Sequence, residues 1–270
     1  MSCTAGVVVS TMFTGLGWNI VGSFDLIPKP APLSVLYEDN HLLVIDKPAG
    51  IATMGAESGP TLHSMAADYI RRKYNKPGKV FVGIVSRLDT VTTGVIVMAR
   101  TSKAASRLTP QFAAKDSKGK TVGADKIYLA AIPGHLEPET GSLTDWVYKD
   151  DDARRMRITN ANRDQAKQAQ LRYVTVAKND QATLLAIRLI SGRKHQIRVQ
   201  LADRGLPIFG DRKYGSKEGF ASPGIALHSW KLSISHPTLK DRRRWTAELP
   251  RSWKALGFPA GCLSGFDEQF

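Results

Sequence analysis

Asp89 follows Arg87 by two residues in Ser86-Arg87-Leu88-Asp89-Thr90-Val91-Thr92-Thr93-Gly94, a stretch rich in hydroxyls with no second acid. A carboxylate beside a guanidinium stays ionised, which suits a nucleophile or a base and does not suit a general acid. The plainer reading of the same residues is a structural Arg–Asp pair in a turn. A second cluster runs Ser191-Gly192-Arg193-Lys194-His195-Gln196-Ile197-Arg198-Val199-Gln200. A helix beginning there presents its positive end together with three cations, and a phosphate or a buried carboxylate would be at home beside it. The third, Gly205 to Gly215, combines glycines with Arg212 and Lys213. By itself it reads as a loop able to meet phosphates.

The elements that must position these residues are legible in outline. Leu33 to Lys47 reads as two short strands around a turn at Asp39-Asn40, stopped by Pro48-Ala49-Gly50. Thr61 to Lys73 places Leu62, Met65, Ala66, Tyr69 and Ile70 on one helical face, with Thr61 able to cap. Gly94 to Ala99 is a β-branched run, and a helix follows from Ser102. Asp89 therefore lies in a polar loop at a strand end. Lys115 to Asp125 reads as a flexible loop and Lys126 to Ile132 as a strand. Lys149 to Arg163 reads as an exposed excursion, and Gln170 to Ile190 as a hairpin around Asn179-Asp180. Arg193 to Arg204 reads as a helix ended by Gly205, Ile225 to Ser235 as a strand, and the remainder, with Arg242-Arg243-Arg244-Trp245, as irregular. Strands outnumber helices and often adjoin in sequence. This predicts an α+β fold with a mixed, largely antiparallel sheet flanked by helices.

The 270 residues carry 38 Lys plus Arg against 24 Asp plus Glu, a net charge of +14. Such a surplus favours polyanionic partners, nucleic acid first. The hydrophobic fraction of 42% supports a proper core, and no window is apolar enough to span a membrane. Cys3 and Cys262 form no C-x-x-C pair, and the six histidines form no ligand-like spacing, so no metal site is expected. Scarce cysteine and the lack of Lys or Arg before Lys29 fit a cytoplasmic protein without a secretory leader. Residues 1–32 are expected to be an extension of no assigned role, 33–258 the catalytic domain and 259–270 a tail.

Taken in order, the segments resemble the RluA family of RNA pseudouridine synthases. LYEDNHLLVIDKPAGI is similar to that family's first motif and SRLDTVTTGVIVMAR to its active-site motif, H-R-L-D-x-x-T-S-G. KIYLAAIPG resembles the strand bearing its active-site tyrosine, SGRKHQIRVQLADRGLPIFGDRKYG its G-R-x-H-Q-I-R segment, and IALHSWKLSISHP its last motif. The resemblance implies a pseudouridine synthase fold with a central basic cleft. It implies that Asp89 is the catalytic aspartate, that Tyr128 stacks on the target base and is a candidate for a later proton transfer, and that Arg198 pairs with Asp89. It further implies that Leu227 packs against the flipped uracil and that Arg87 holds the RNA; Arg193 and His195 are expected to touch substrate. Ser86 departs from the usual His and Thr93 from the usual Ser. Ser86 is expected to alter RNA contacts or flipping more than the chemistry.

The implied reaction breaks a C–N glycosidic bond, turns the uracil and forms a C–C bond at the same sugar carbon. It needs no cofactor. A carboxylate can attack the sugar or take a proton from it, and the freed base needs an apolar, stacking pocket. The target nucleotide must leave the stack, at a cost that contacts to phosphates offset. The expected partner is structured rRNA or tRNA with a flipped uridine, met by a monomer with no obligate protein partner. A non-catalytic RNA-binding module would not need both Asp89 and Tyr128. A glycoside hydrolase would need a second carboxylate, and no motif supplies one.

Overall fold

The run Gly94-Val95-Ile96-Val97-Met98-Ala99 has no polar side, so it must be covered on both faces. The computed structural model describes residues 33–113, 123–221, 223–264 and 266, and in it this run is the buried interior of β4 (Thr93–Ala99). Ile96 and Met98 face a core that includes Leu62, Ala66 and Ile70 of α1 (Leu62–Lys73). Val95, Val97 and Ala99 face Ala104 and Leu108 of α2 (Ser102–Ala113) on the other side. Strand alternation thus sends successive residues to different helices. Thr61 caps α1 in a reciprocal capping box with Ser64, as the sequence predicts.

β4 pairs antiparallel with β2 (Leu42–Lys47), which pairs with β1 (Ser34–Glu38). The β1–β2 turn is closed by Asp39, whose Oδ1 accepts from the amides of His41 and Leu42, each at 2.7 Å. The short β3 (Gly83–Ile84) lies against the far end of β4. On its other side β4 pairs in parallel with β10 (Leu227–Ser235). Beyond β10 come β5 (Asp125–Pro133), β9 (Ala182–Leu189), β8 (Lys167–Lys178), β6 (Thr140–Asp150) and β7 (Arg155–Thr159), all antiparallel. β11 (Arg242–Thr246) also pairs with β10. Among the described residues the sheet is therefore two antiparallel halves joined at one parallel seam. Because β4 and β10 run the same way, the loop that enters β4 and the first residue of β10 meet at one end of the sheet.

Three expectations are corrected. Segment 149–163 is the β6–β7 hairpin, turned by Asp150, whose Oδ1 accepts from the amide of Ala153 at 2.9 Å. Its mixed charges sit on the outward face while Val147 and Met156 pack inward. Residues 242–246 form β11; Trp245 turns toward Tyr37, with ring centroids 5.5 Å apart. The third helix, α3 (Gln196–Asp203), starts three residues later than expected, because His195 adopts a left-handed backbone (φ 51°) that cannot continue a helix backwards. The expected extension at 1–32, most of the expected flexible loop (114–122), Cys3 and residues 267–270 lie outside the described residues. No described helix is long and apolar enough to cross a membrane.

Candidate active site

Asp89 sits in the loop between β3 and β4, and backbone contacts fix that loop from three sides. The Thr53 hydroxyl donates to the Leu88 carbonyl at 2.8 Å and accepts from the Leu88 amide at 3.1 Å. The Gly50 amide donates to the Thr90 carbonyl at 2.8 Å, and the Thr92 amide to the Asp89 carbonyl at 3.1 Å. Lys47 is fully buried, and its ammonium donates to the carbonyls of Pro48 and Ile51 at 2.9 Å and of Thr90 at 3.2 Å. Burial pushes the Lys47 amine down to about 8, opposed by the charge of Asp89. Gly94 allows the parallel seam to close. At its φ of +107° a Cβ would stand 2.2 Å from the Ser229 carbonyl oxygen, so no other residue fits.

Facing this loop is a charged wall. Arg198, only 5% exposed, projects from α3 and donates from Nη1 to Asp89 Oδ2 at 2.9 Å. Its Nε and Nη2 grip both oxygens of buried Asp211 at 2.7 and 2.8 Å. Burial opposes the charged guanidinium, but Asp211 and Asp89 raise the Arg198 pKa above its ordinary value. Asp89 Oδ1 accepts no hydrogen bond among the described residues. The second arm of the wall is a line of three groups. The Met156 amide donates to the Tyr214 hydroxyl at 3.0 Å, and that oxygen lies 2.8 Å from His195 Nδ1. The Tyr214 hydroxyl has one proton to give; donated to Nδ1, it leaves the hydrogen of the neutral ring on Nε2. Nε2 lies 3.7 Å from Asp89 Oδ2. Burial pushes His195 down to about 4, against the pull of Asp89 and with the push of Arg198, Lys194 and Lys213, so the ring is neutral at pH 7.

The opposite wall is apolar. Tyr128 of β5 and Leu227 of β10 are 8% and 4% exposed, and with Ile225 and Leu189 they line the same cleft as Asp89. Sheet register sets their positions, with Tyr128 opposite Ser229 and Leu227 opposite Ala130. Burial pushes the Tyr128 phenol up to about 12, with Ser229 opposing and Asp89 adding to the rise. At neutral pH it is held as the neutral phenol, a ring with an O–H. The cleft encloses about 700 Å³.

The structure brings Asp89, Tyr128, Arg198, Leu227 and His195 into one cleft, with Arg87 and Arg193 also lining it. The guanidinium on Asp89 comes from Arg198, so the local Arg87–Asp89 pair is corrected; Arg87 is exposed. Arg193 donates from Nε to the Gln168 carbonyl at 2.9 Å. The expected open helix end carrying Arg193 and Lys194 is absent; the Gln196 side chain instead folds back onto Ser191 at 2.8 Å and the Arg193 amide at 3.0 Å. Arg212, expected to meet phosphates, donates to the Ser216 and Lys217 carbonyls of its own turn. Sequence reasoning missed Lys47, Asp211 and Tyr214. All three stood in quoted segments, and the signal for Asp211 was a lone acid between glycine and two cations.

Comparison with known proteins places the chain in a family. Residues 41–203 match the family model described as RNA pseudouridylate synthase. The chain is 34% identical over 244 residues to the ribosomal large subunit pseudouridine synthase D of Xanthomonas campestris, covering 85% of this chain and 70% of that protein. It is also 34% identical over 217 residues to the dual-specificity RNA pseudouridine synthase RluA of Escherichia coli K12, covering 78% of this chain and 90% of the relative. In fold it is similar to human RNA pseudouridylate synthase domain containing 4, with a TM-score of 0.67 at 21% identity, over 84% of this chain and 94% of that one. The chain belongs to the RNA pseudouridylate synthase family, in its RluA branch, and is an isomerase that acts on RNA.

Proposed function

We propose that Asp89 is the carboxylate that opens the glycosidic bond of a flipped uridine in rRNA or tRNA, with Arg198 holding it and the apolar wall retaining the base. The observation that carries this reading is the hydrogen bond between Arg198 Nη1 and Asp89 Oδ2 at 2.9 Å. It leaves Oδ1 toward a cleft whose far side is Tyr128 and Leu227. Whether Oδ1 adds to C1′ or takes a sugar proton, the same oxygen serves. C1′–N1 breaks, the uracil turns against Tyr128 and Leu227, C1′–C5 forms, the C5 proton leaves to water and N1 takes one up from water. Atoms balance without a co-reactant. Because the Tyr128 phenol is held neutral, its part is to stack on and orient the base, and the C5 proton goes to another acceptor such as water. Arg87 and Arg193 meet phosphates at the rim, and neutral His195 offers its Nε2–H beside the sugar. We assign the enzyme to the cytoplasm on its low cysteine content. We assign it as a monomer because α1 and α2 already bury their apolar faces against the sheet.

The test is Asp89→Asn on unmodified transcripts of tRNA and large-subunit ribosomal RNA, with pseudouridine mapped by carbodiimide. Conversion should fall by at least about 10²–10⁴-fold, the span expected for a group that moves a proton or acts as nucleophile. RNA affinity should be kept. Undiminished turnover rejects the assignment.

A further inference from the structure

A second cavity of about 240 Å³ lies behind Tyr128 and shares Tyr128, Arg87 and Arg193 with the main cleft. Its own lining includes Ser86, Lys126 and Phe112. Lys126 precedes Tyr128 by two residues on β5, so both side chains leave the same face of the sheet. The Lys126 ammonium lies 5.8 Å from the centroid of the Phe112 ring. It also passes the Ser191–Arg193 link so closely that a Cβ on Gly192 would be 3.1 Å from Nζ. Gly192 therefore leaves room for this ammonium at the shared rim.

Among the described residues Lys126 has no carboxylate in salt-bridge reach. The neighbouring Asp125 is gripped by Arg188 at 2.8 and 2.6 Å. Among the described residues Lys126 Nζ donates no hydrogen bond, and its burial pushes the amine pKa down against the pull of Asp125. A cation with three donors, set in a cavity and met among the described residues only by the Phe112 ring and the field of Asp125, is costly unless something anionic arrives. The Ser86 hydroxyl adds a further donor to the same cavity, at the position where the resemblance expects histidine.

We propose that this second cavity binds a backbone phosphate of the RNA adjoining the flipped uridine, with Lys126 as its cation and Ser86 as a hydroxyl donor. The site rests on the reading of the cleft given above: a base stacked on Tyr128 puts the next phosphate within one nucleotide of Lys126. The cavity suits a phosphate with part of its sugar, and every RNA offers that group, so the site fixes the approach of the strand and carries no base preference.

The experiment measures Kd and turnover of the wild type, Lys126→Met and Lys126→Arg against KCl, on unmodified transcripts of tRNA and large-subunit ribosomal RNA. Loss of one phosphate contact should reduce the slope of log Kd on log [KCl] by about 0.7–0.9. Lys126→Arg should keep the wild-type slope, and the turnover lost in Lys126→Met should return at saturating RNA. If Lys126→Met does not fold, Gly192→Ala crowds Nζ while keeping the charge and should raise KM. A slope in Lys126→Met equal to wild type, or a KM in Gly192→Ala equal to wild type, overturns the site. Asp89→Asn separates the two readings, since it should lose conversion with an unchanged salt slope. If it still converts, the catalytic assignment falls while the slopes still decide this one.

Discussion

The two walls of the cleft are built by opposite means. The charged wall, Asp89, Arg198, Asp211, His195 and Tyr214, is drawn from three stretches of chain and is held by hydrogen bonds of 2.7 to 2.9 Å between side chains. The apolar wall, Tyr128, Leu227 and Leu189, is drawn from three strands, and its positions follow from backbone register. The charged wall therefore fails when one partner is lost, because each remaining group is left buried and unanswered. The apolar wall fails only when the sheet does. On the proposed reading, chemistry that moves charge is placed where geometry is over-determined, and the surface that would let a uracil turn is smooth.

The strongest blow to the charged wall is Asp211→Ala. It removes two of the three bonds to Arg198 while leaving the guanidinium about 95% covered. Breaking such a buried pair costs about 3–5 kcal/mol. The chain should lose that much stability in denaturant melts and lose most of its turnover, since Arg198 can then swing from Asp89. A wild-type melt would mean that Asp211 does not hold the wall, and the contrast between the walls would be lost.

The same division explains what the sequence made legible. Strand registers follow from runs such as Gly94 to Ala99, whose side chains leave no polar face, and the Thr61 cap follows from a local rule. Asp89, Tyr128 and Leu227, which line one cleft, are candidates from sequence because their motifs are contiguous. Asp211 is not, because its role appears only when α3 folds back and brings Arg198 to it across 13 residues of sequence. Lys47 was read as the end of a strand, since nothing local says that its ammonium turns inward to three carbonyls. The start of α3 was misplaced because a left-handed histidine is stabilised by Tyr214 and the link around it, which no propensity encodes. The β6–β7 hairpin was hidden by polar residues on its outward face.

The charged wall carries one neutral histidine, and the sheet behind the apolar wall carries another, His228 of β10, packed against Trp253 outside the cleft; together they give a pH test of the charged wall against the sheet. His195 and His228 are both pushed by burial from 6.5 to about 4, the second opposed by the Ala247 carbonyl. Between those values the unfolded chain binds the proton and the folded chain does not. Stability is therefore present in full above pH 6.5 and falls as pH drops toward 4, by about 3 kcal/mol at most for each ring. Urea melts from pH 7 to 4.5 should show this decline, and His195→Gln and His228→Asn should each remove part of the slope. A decline untouched by His228→Asn would assign it to the charged wall alone.

The gentlest probe is Tyr214→Phe. The ring stays, so packing is kept, and the hydroxyl that joins the Met156 amide to His195 Nδ1 is lost. Stability should fall by about 1–3 kcal/mol, the cost of a buried amide left without an acceptor. The larger consequence is chemical. With no O–H aimed at Nδ1, nothing fixes the hydrogen on Nε2, and the imidazole is free to present a lone pair to Asp89 instead of a donor. Turnover should fall severalfold more than the stability loss explains, at a pH where the chain is fully folded. In a double-mutant cycle with His195→Gln, the two changes should be far from additive, because both act through the same nitrogen. Additive losses would mean that Tyr214 braces only the Met156 strand, and the charged wall would then end at Arg198.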